Sequence, residues 1–129
     1  PGQTICYFVI DLRKRNKDIR KFILNLEKII IKTLEEYKIK SFADRKNIGI
    51  WVNHKNKIKK ISAIGIKVKN WIAYHGFSIN IKNDLKYYKK IVPCGIINRE
   101  VINLINIKNQ KYNFISKKII KNFIKYLKV

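Results

Sequence analysis

Apolar positions change period several times along the chain, and each change predicts an element. Thr4 to Leu12 is apolar at nearly every position and predicts a buried strand, with Cys6 as a core residue inside it. Arg13 to Lys17 is a charged connection. From about Asp18 to Ile39 the period lengthens. Ile19, Phe22, Ile23, Leu26, Ile29, Ile30, Leu34 and Tyr37 recur at three- and four-residue steps, which predicts an amphipathic helix laid on a sheet. Asn16 or Asp18 is positioned to cap its start. Ile48 to Val52 predicts a short strand, Asn53 to Lys57 a turn with His54 exposed, and Lys60 to Val68 a second strand. Lys69-Asn70 reads as a hairpin turn into Trp71 to Ile81, a strand interrupted by His75-Gly76. Asn83 to Lys90 suggests a turn of helix, and Arg99 to Ile107 is weakly helical. Ser116 to Leu127 predicts a terminal helix with Ser116 as its cap. The order gives an α/β or α+β fold: helices against a mixed sheet, in one domain without repeat or linker.

Composition narrows the class. In 129 residues 47% are hydrophobic, enough for one core, and no apolar run reaches the roughly 18 residues of a membrane span. No basic stretch precedes the apolar run at Thr4, so no secretory signal is read there. The formal charge of +22, from 30 Lys+Arg against 8 Asp+Glu, predicts attraction to acidic partners. Lysine outnumbers arginine heavily and is spread along the whole chain, beside abundant Ile, Asn and Tyr. Two readings of the charge stay open: a solvated surface written by an AT-rich genome, or a functional basic face. Cys6 and Cys94 form neither a disulfide framework nor a zinc-ligand pattern, which points to a reducing compartment, the cytoplasm, and to no metal. Methionine is absent, and the expectation is a natural start upstream of Pro1.

Chemistry concentrates in Ile91-Val92-Pro93-Cys94-Gly95-Ile96. Proline fixes the backbone before the thiol and glycine permits a tight bend after it. That presents a sulfur as a nucleophile presents it, although a buried cysteine in a turn has the same local sequence. A thiolate needs a nearby cation to lower its pKa. Lys60, opening an otherwise apolar strand, and His75, before a glycine, are the candidates. Gly65 and Gly76 are expected on neighbouring strands, where missing side chains would open a slot lined by Ile64, Ile66, Phe77 and Ile79. An apolar slot with a thiol at its mouth suits a fatty acyl group.

Three segments in order, Lys60-Ile61-Ser62-Ala63-Ile64-Gly65, His75-Gly76-Phe77-Ser78-Ile79-Asn80 and Pro93-Cys94-Gly95-Ile96, resemble the motifs of the lipoyl(octanoyl) transferases. Trp51-Val52 and Pro1-Gly2-Gln3 leading to Asp11-Leu12-Arg13 fit as well, and Lys60 and Cys94 stand 34 residues apart, as in that family. The resemblance runs from Pro1 to about Leu104. It implies the mixed sheet and helices of the biotin and lipoate protein ligase catalytic fold. It implies a single, partial octanoyltransferase catalytic domain over residues 1–129, moving an octanoyl group from acyl carrier protein through a cysteine thioester to a lysine of lipoyl domains. These are the lipoyl domains of 2-oxoacid dehydrogenases and the glycine cleavage H protein. Under the resemblance Cys94 is the nucleophile and Lys60 lowers its pKa and shuttles protons. The backbone of Ala63, Ile64, Gly65, Gly76, Phe77 and Ser78 lines the acyl site, and His75 is auxiliary. No cofactor is implied, because the donor is already a thioester. The family carries Arg-Gly-Gly and Thr-x-His-Gly segments ahead of Pro-Gly-Gln, so a fragment or an inactive truncated member is an open alternative. A basic nucleic-acid-binding module is the rival that explains the charge but not the ordered motifs.

Overall fold

The computed structural model describes residues 2–85 and 100–128. Five strands form one sheet in the order β1-β5-β4-β3-β2. They are β1 (Gln3–Asp11), β2 (Phe42–Ala43), β3 (Ile50–His54), β4 (Lys57–Lys69) and β5 (Ile72–Asn80). The helices are α1 (Ile19–Glu35), α2 (Leu104–Ile107) and α3 (Ile115–Leu127), with a 3-10 turn at Leu12–Arg15. Every pairing between named strands is antiparallel. The parallel element that makes the sheet mixed is a bridge between Lys60 and Val101. Among the described residues no helix is long and apolar enough to cross a membrane.

Local chemistry sets the turns. Lys55 and Asn56 both take left-handed angles, φ 52° and 66°, which is the two-residue hairpin turn whose twist matches the strands it joins. The next hairpin turns on Asn70 and Trp71, φ 51° and 65°, one residue later than the sequence suggests. Pairing of Lys69 with Ile72 fixes that position. The Lys17 ammonium sits 5.5 Å above the Trp71 ring, and the Trp71 carbonyl accepts from the Leu12 N–H at 2.7 Å.

The two long helices cover one face of the sheet. Asp18 caps α1 by accepting from the Lys21 N–H at 2.9 Å. Phe22, Leu26, Ile29, Ile30 and Leu34 of α1 are buried with Ile50, Val52, Ile61, Ala73, Phe77 and Ile79 of the sheet. Full burial of each such aliphatic or aromatic side chain stabilises by roughly 1.5–3 kcal/mol. Helix α3 is entered through Phe114 in the left-handed conformation, φ 64°, with no side-chain cap. Ser116 lies one residue inside the helix and so does not cap it. The two helices are joined by Asn122, whose amide donates to Thr33 Oγ1 at 3.0 Å and to Glu36 Oε2 at 2.9 Å.

Strand β1 is not buried on both faces, as its apolar run suggested. It is an edge strand. Cys6, Phe8 and Ile10 pack against the core, while Ile5, Tyr7 and Val9 point outward and are 50%, 75% and 74% exposed. The helices occupy one side only, and a continuous apolar run cannot report that. Cys6 is half-buried, and burial pushes its thiol pKa up, as expected for an unreactive core cysteine. The helical reading of Arg99 to Ile107 shrinks to the single turn α2, capped by Asn103. The reading of Asn83 to Lys90 falls mostly outside the described residues, and 83–85 are not helical.

Candidate active site

Lys60 occupies a position that the strand period alone would misplace. Ile64 and Ile66 of β4 pack against the core, so strict alternation sends Lys60 inward too. The β3–β4 register shifts, however: Ile50 pairs with Ser62 and Trp51 pairs with Lys60, leaving Ile61 as an extra residue. That bulge puts Ile61 into the core and turns Lys60 to the opposite face, beside Trp51. The Lys60 ammonium stands 5.0 Å from the centre of the Trp51 ring, a cation–π distance. The indole N–H donates to the Asn47 carbonyl at 3.1 Å, which fixes the ring.

Gly49 completes the seat, and the sequence reading passed over it. Its φ of +136° favours glycine, and a Cβ there would stand 3.0 Å from Lys60 Cε and 2.9 Å from the Ser62 carbonyl oxygen. The lysine stem therefore lies in the space that the missing side chain leaves. Half-burial disfavours the charged ammonium and lowers the Lys60 pKa. Among the described residues no carboxylate forms an ion pair with it; the nearby Lys59 and Glu100 pair with each other at 3.3 Å. A lysine whose pKa burial lowers, held against a ring, is suited to proton transfer.

The chain returns to the sheet at this residue. The Lys60 N–H donates to the Glu100 carbonyl and the Ile102 N–H donates to the Lys60 carbonyl, both at 2.9 Å. Cys94, with Pro93 and Gly95, lies outside the described residues. It is six residues before Glu100 in the sequence.

An open groove of about 470 Å³ runs over the same face, lined along β4 and β5 by Ala63, Gly65, Gly76 and Ser78 and along β1 by Ile5 and Tyr7. Gly65 and Gly76 lie on neighbouring strands, as expected, and are direct cross-strand partners. They differ in what they permit. A Cβ on Gly65 would meet nothing within 4 Å, whereas a Cβ on Gly76 would collide with the Cys6 carbonyl oxygen. The apolar lining expected from Ile64, Ile66, Phe77 and Ile79 is corrected. Ile79 and Phe77 are buried in the helix-side core, and Ile64 and Ile66 pack against it. Phe77 and Ile66 still border the groove, whereas Ile64 and Ile79 do not. Further apolar side chains come from β1, whose exposed Ile5 and Tyr7 line the groove, Tyr7 standing opposite Gly76.

His75 is exposed, left-handed at φ 74°, and stacked 4.8 Å from Tyr74, bordering the far end of the groove. It pairs with Ile66, six residues along β4 from Lys60, which puts the two backbones about 20 Å apart. The fold thus gathers Lys60, Ala63, Gly65, Gly76 and Ser78 on one face and leaves His75 at the opposite end from Lys60.

The family model of the lipoyl protein ligase A/B catalytic domain matches residues 1–127. An octanoyltransferase of Ehrlichia ruminantium is 41% identical over 123 residues, covering 92% of this chain and 59% of that protein. One from Zymomonas mobilis is 46% identical over 96 residues, covering 74% of this chain and 44% of its own length. The chain thus spans about half the length of these curated relatives. Two solved structures share the fold over 98% of this chain. They are the bipartite lipoate protein ligase of Thermoplasma acidophilum (TM-score 0.75, 13% identity, 52% of that chain) and the biotin protein ligase of Aquifex aeolicus (0.72, 19%, 53%).

Proposed function

Because the chain belongs to the lipoyl protein ligase A/B catalytic-domain family, we propose that it carries the catalytic core of an octanoyltransferase of lipoate biosynthesis. The observation that carries the reading is the seat of Lys60: a half-buried amine against the Trp51 ring, three residues from the small-residue groove that begins at Ala63. Its 34-residue separation from Cys94 and the octanoyltransferase relatives support it. In the first half-reaction the Cys94 thiolate attacks the donor thioester carbonyl. The new C–S bond forms, the donor C–S bond breaks, and the departing thiol of the carrier protein takes its proton from Lys60. In the second, a substrate lysine amine attacks the Cys94 thioester, loses a proton to Lys60 and leaves as the amide, returning the Cys94 thiolate. The octanoyl chain lies in the groove between Ile5 and Tyr7 on one side and Gly65 and Gly76 on the other.

The donor is octanoyl-acyl carrier protein and the acceptors are lipoyl domains, with the reaction placed in the cytoplasm, where free thiols stay reduced. An acidic carrier meets a chain of charge +22, so its affinity should fall between low and physiological salt. Equal affinity at both would remove the electrostatic part of the reading.

The test is a mass measurement after incubation with octanoyl-carrier protein. An adduct at Cys94 that is absent in Cys94→Ser and formed at least tenfold more slowly in Lys60→Ala is expected. Lys60→Ala should also move iodoacetamide alkylation of Cys94 to higher pH, since the cation that favours thiolate is gone. If His75→Ala moves that curve and Lys60→Ala does not, the lysine assignment is wrong. Salt-sensitive nucleic-acid binding with no adduct would replace the reading by the non-catalytic one.

A further inference from the structure

A cluster of buried amides stands beside Lys60, and the reaction scheme above does not use it. Asn80, at the end of β5, is 4% exposed. Its Oδ1 accepts from Gln3 Nε2 at 2.9 Å and from Asn83 Nδ2 at 3.1 Å. Its Nδ2 donates to the Ile102 carbonyl at 3.3 Å. Asn103, itself buried, donates from Nδ2 to the Asn83 carbonyl at 3.2 Å, and the Ile105 N–H donates to the Ile81 carbonyl at 3.0 Å. Residues 80–83 and 102–105 are therefore tied to each other by side-chain and backbone bonds. The same Ile102 whose carbonyl Asn80 holds gives its N–H to Lys60.

A short parallel bridge needs that help. Residues 100–102 make two backbone bonds to β4, both on Lys60, beside the Lys59–Glu100 ion pair, and parallel pairing is the weaker kind per residue. An amide at position 80 is chemically specific. It must accept from two N–H donors on one side and donate to a carbonyl on the other. A carboxylate would face the Ile102 carbonyl with like partial charge, and an alanine would leave that carbonyl and the Gln3 and Asn83 amides without these partners.

We propose that Asn80 is a positioning residue for Lys60: through the Ile102 carbonyl it seats residues 100–102 on the Lys60 peptide and so holds the amine in its half-buried place between Trp51 and Gly49. The importance of that seat for catalysis rests on the transferase reading. The seat itself does not, and the experiment is chosen to keep the two apart.

The test compares Asn80→Ala with Asn122→Ala in the full 129-residue chain. Asn122 is equally buried, joins α1 to α3, and lies outside the Lys60 seat. Both variants should lose thermal stability by similar amounts. Amide hydrogen exchange at Ile102 should accelerate about tenfold or more in Asn80→Ala beyond its change in Asn122→Ala, as loss of roughly one hydrogen bond predicts. The pH midpoint for labelling the Lys60 amine by acetic anhydride should rise in Asn80→Ala only. The charged groups beside Lys60, Lys59 and Glu100, are unchanged in both variants, so the shift reports burial. Asn80→Gln, which keeps the amide, should recover part of both readouts. If both variants alter Ile102 exchange and the Lys60 midpoint equally, or neither does, Asn80 is merely structural and the inference falls. Neither readout requires acyl transfer. A failed Cys94 adduct with these shifts intact would overturn the transferase reading alone.

Discussion

The two faces of β5 obey different rules. On one, Ala73, Phe77 and Ile79 vary in size and fit under α1 and α3 with almost no exposure. On the other, Gly76 and Ser78 lie beside Gly65 and Ala63, and every one of these side chains is small. Packing explains the first face, since each residue there is buried in the core shared with the helices. It does not explain Gly65 on the second, although at Gly76 the Cys6 carbonyl excludes a side chain. A strand glycine costs roughly 0.5–1 kcal/mol relative to alanine, and at Gly65 there is no neighbour within 4 Å for a side chain to offend. Among the described residues nothing approaches Gly65 on that face, and small residues there leave a groove. The helix-side face makes the fold, and the opposite face makes the site.

The sharpest break in that comparison is Gly76→Ala against Gly65→Ala. The first drives a methyl into the Cys6 carbonyl and should destabilise by about 3 kcal/mol or more, through loss of β1–β5 pairing. The second should be neutral or stabilise by up to about 1 kcal/mol. Urea denaturation of both checks this, and equal losses would mean that the groove face is packed after all.

The faces themselves come next. Leu26→Ala removes a fully buried side chain and should cost about 2–5 kcal/mol. Tyr7→Ala, on the open face, should cost within about 0.5 kcal/mol while weakening acyl binding. Thermal melts together with retention of an octanoyl thioester separate the two effects. A large melting loss in Tyr7→Ala would show that something covers that face in solution.

The smallest effect sharpens the helix side. The Lys121 ammonium, 2.7 Å away, with help from Asn122, holds the Glu36 carboxyl below its ordinary pKa of 4.5. A carboxyl depressed in the folded state stabilises at neutral pH, and that contribution is lost as pH falls from about 4.5 through the lower folded value. Glu36→Gln should therefore reduce stability at pH 7 by under about 1 kcal/mol, the pair being partly exposed, and should match the parent in acid. Parallel stability–pH curves would rule out the ion pair as a contributor.

Much of this was legible in the chain. The three- and four-residue spacing from Ile19 to Leu34 could bury only one stripe, so α1 had to lie on a sheet, and Asp18 was available to cap it. Gly65 and Gly76 were legible as neighbours on adjacent strands, but their direct pairing was set by the turn at Asn70 and Trp71, one residue later than the sequence suggests. The motifs around Lys60 and His75 carried the family. What the chain could not declare is which side of each element faces what. The exposure of Ile5, Tyr7 and Val9, and the retreat of Ile79 from the groove, follow from helices packing on one face alone, a long-range event absent from any local period. Lys60 depends on it most. Alternation places it inward, and only the register shift opposite Ile50 and Trp51 turns it onto the groove face. Its seat is then built by Trp51, Gly49 and Asn80, residues distant in sequence that tertiary pairing alone brings to one lysine.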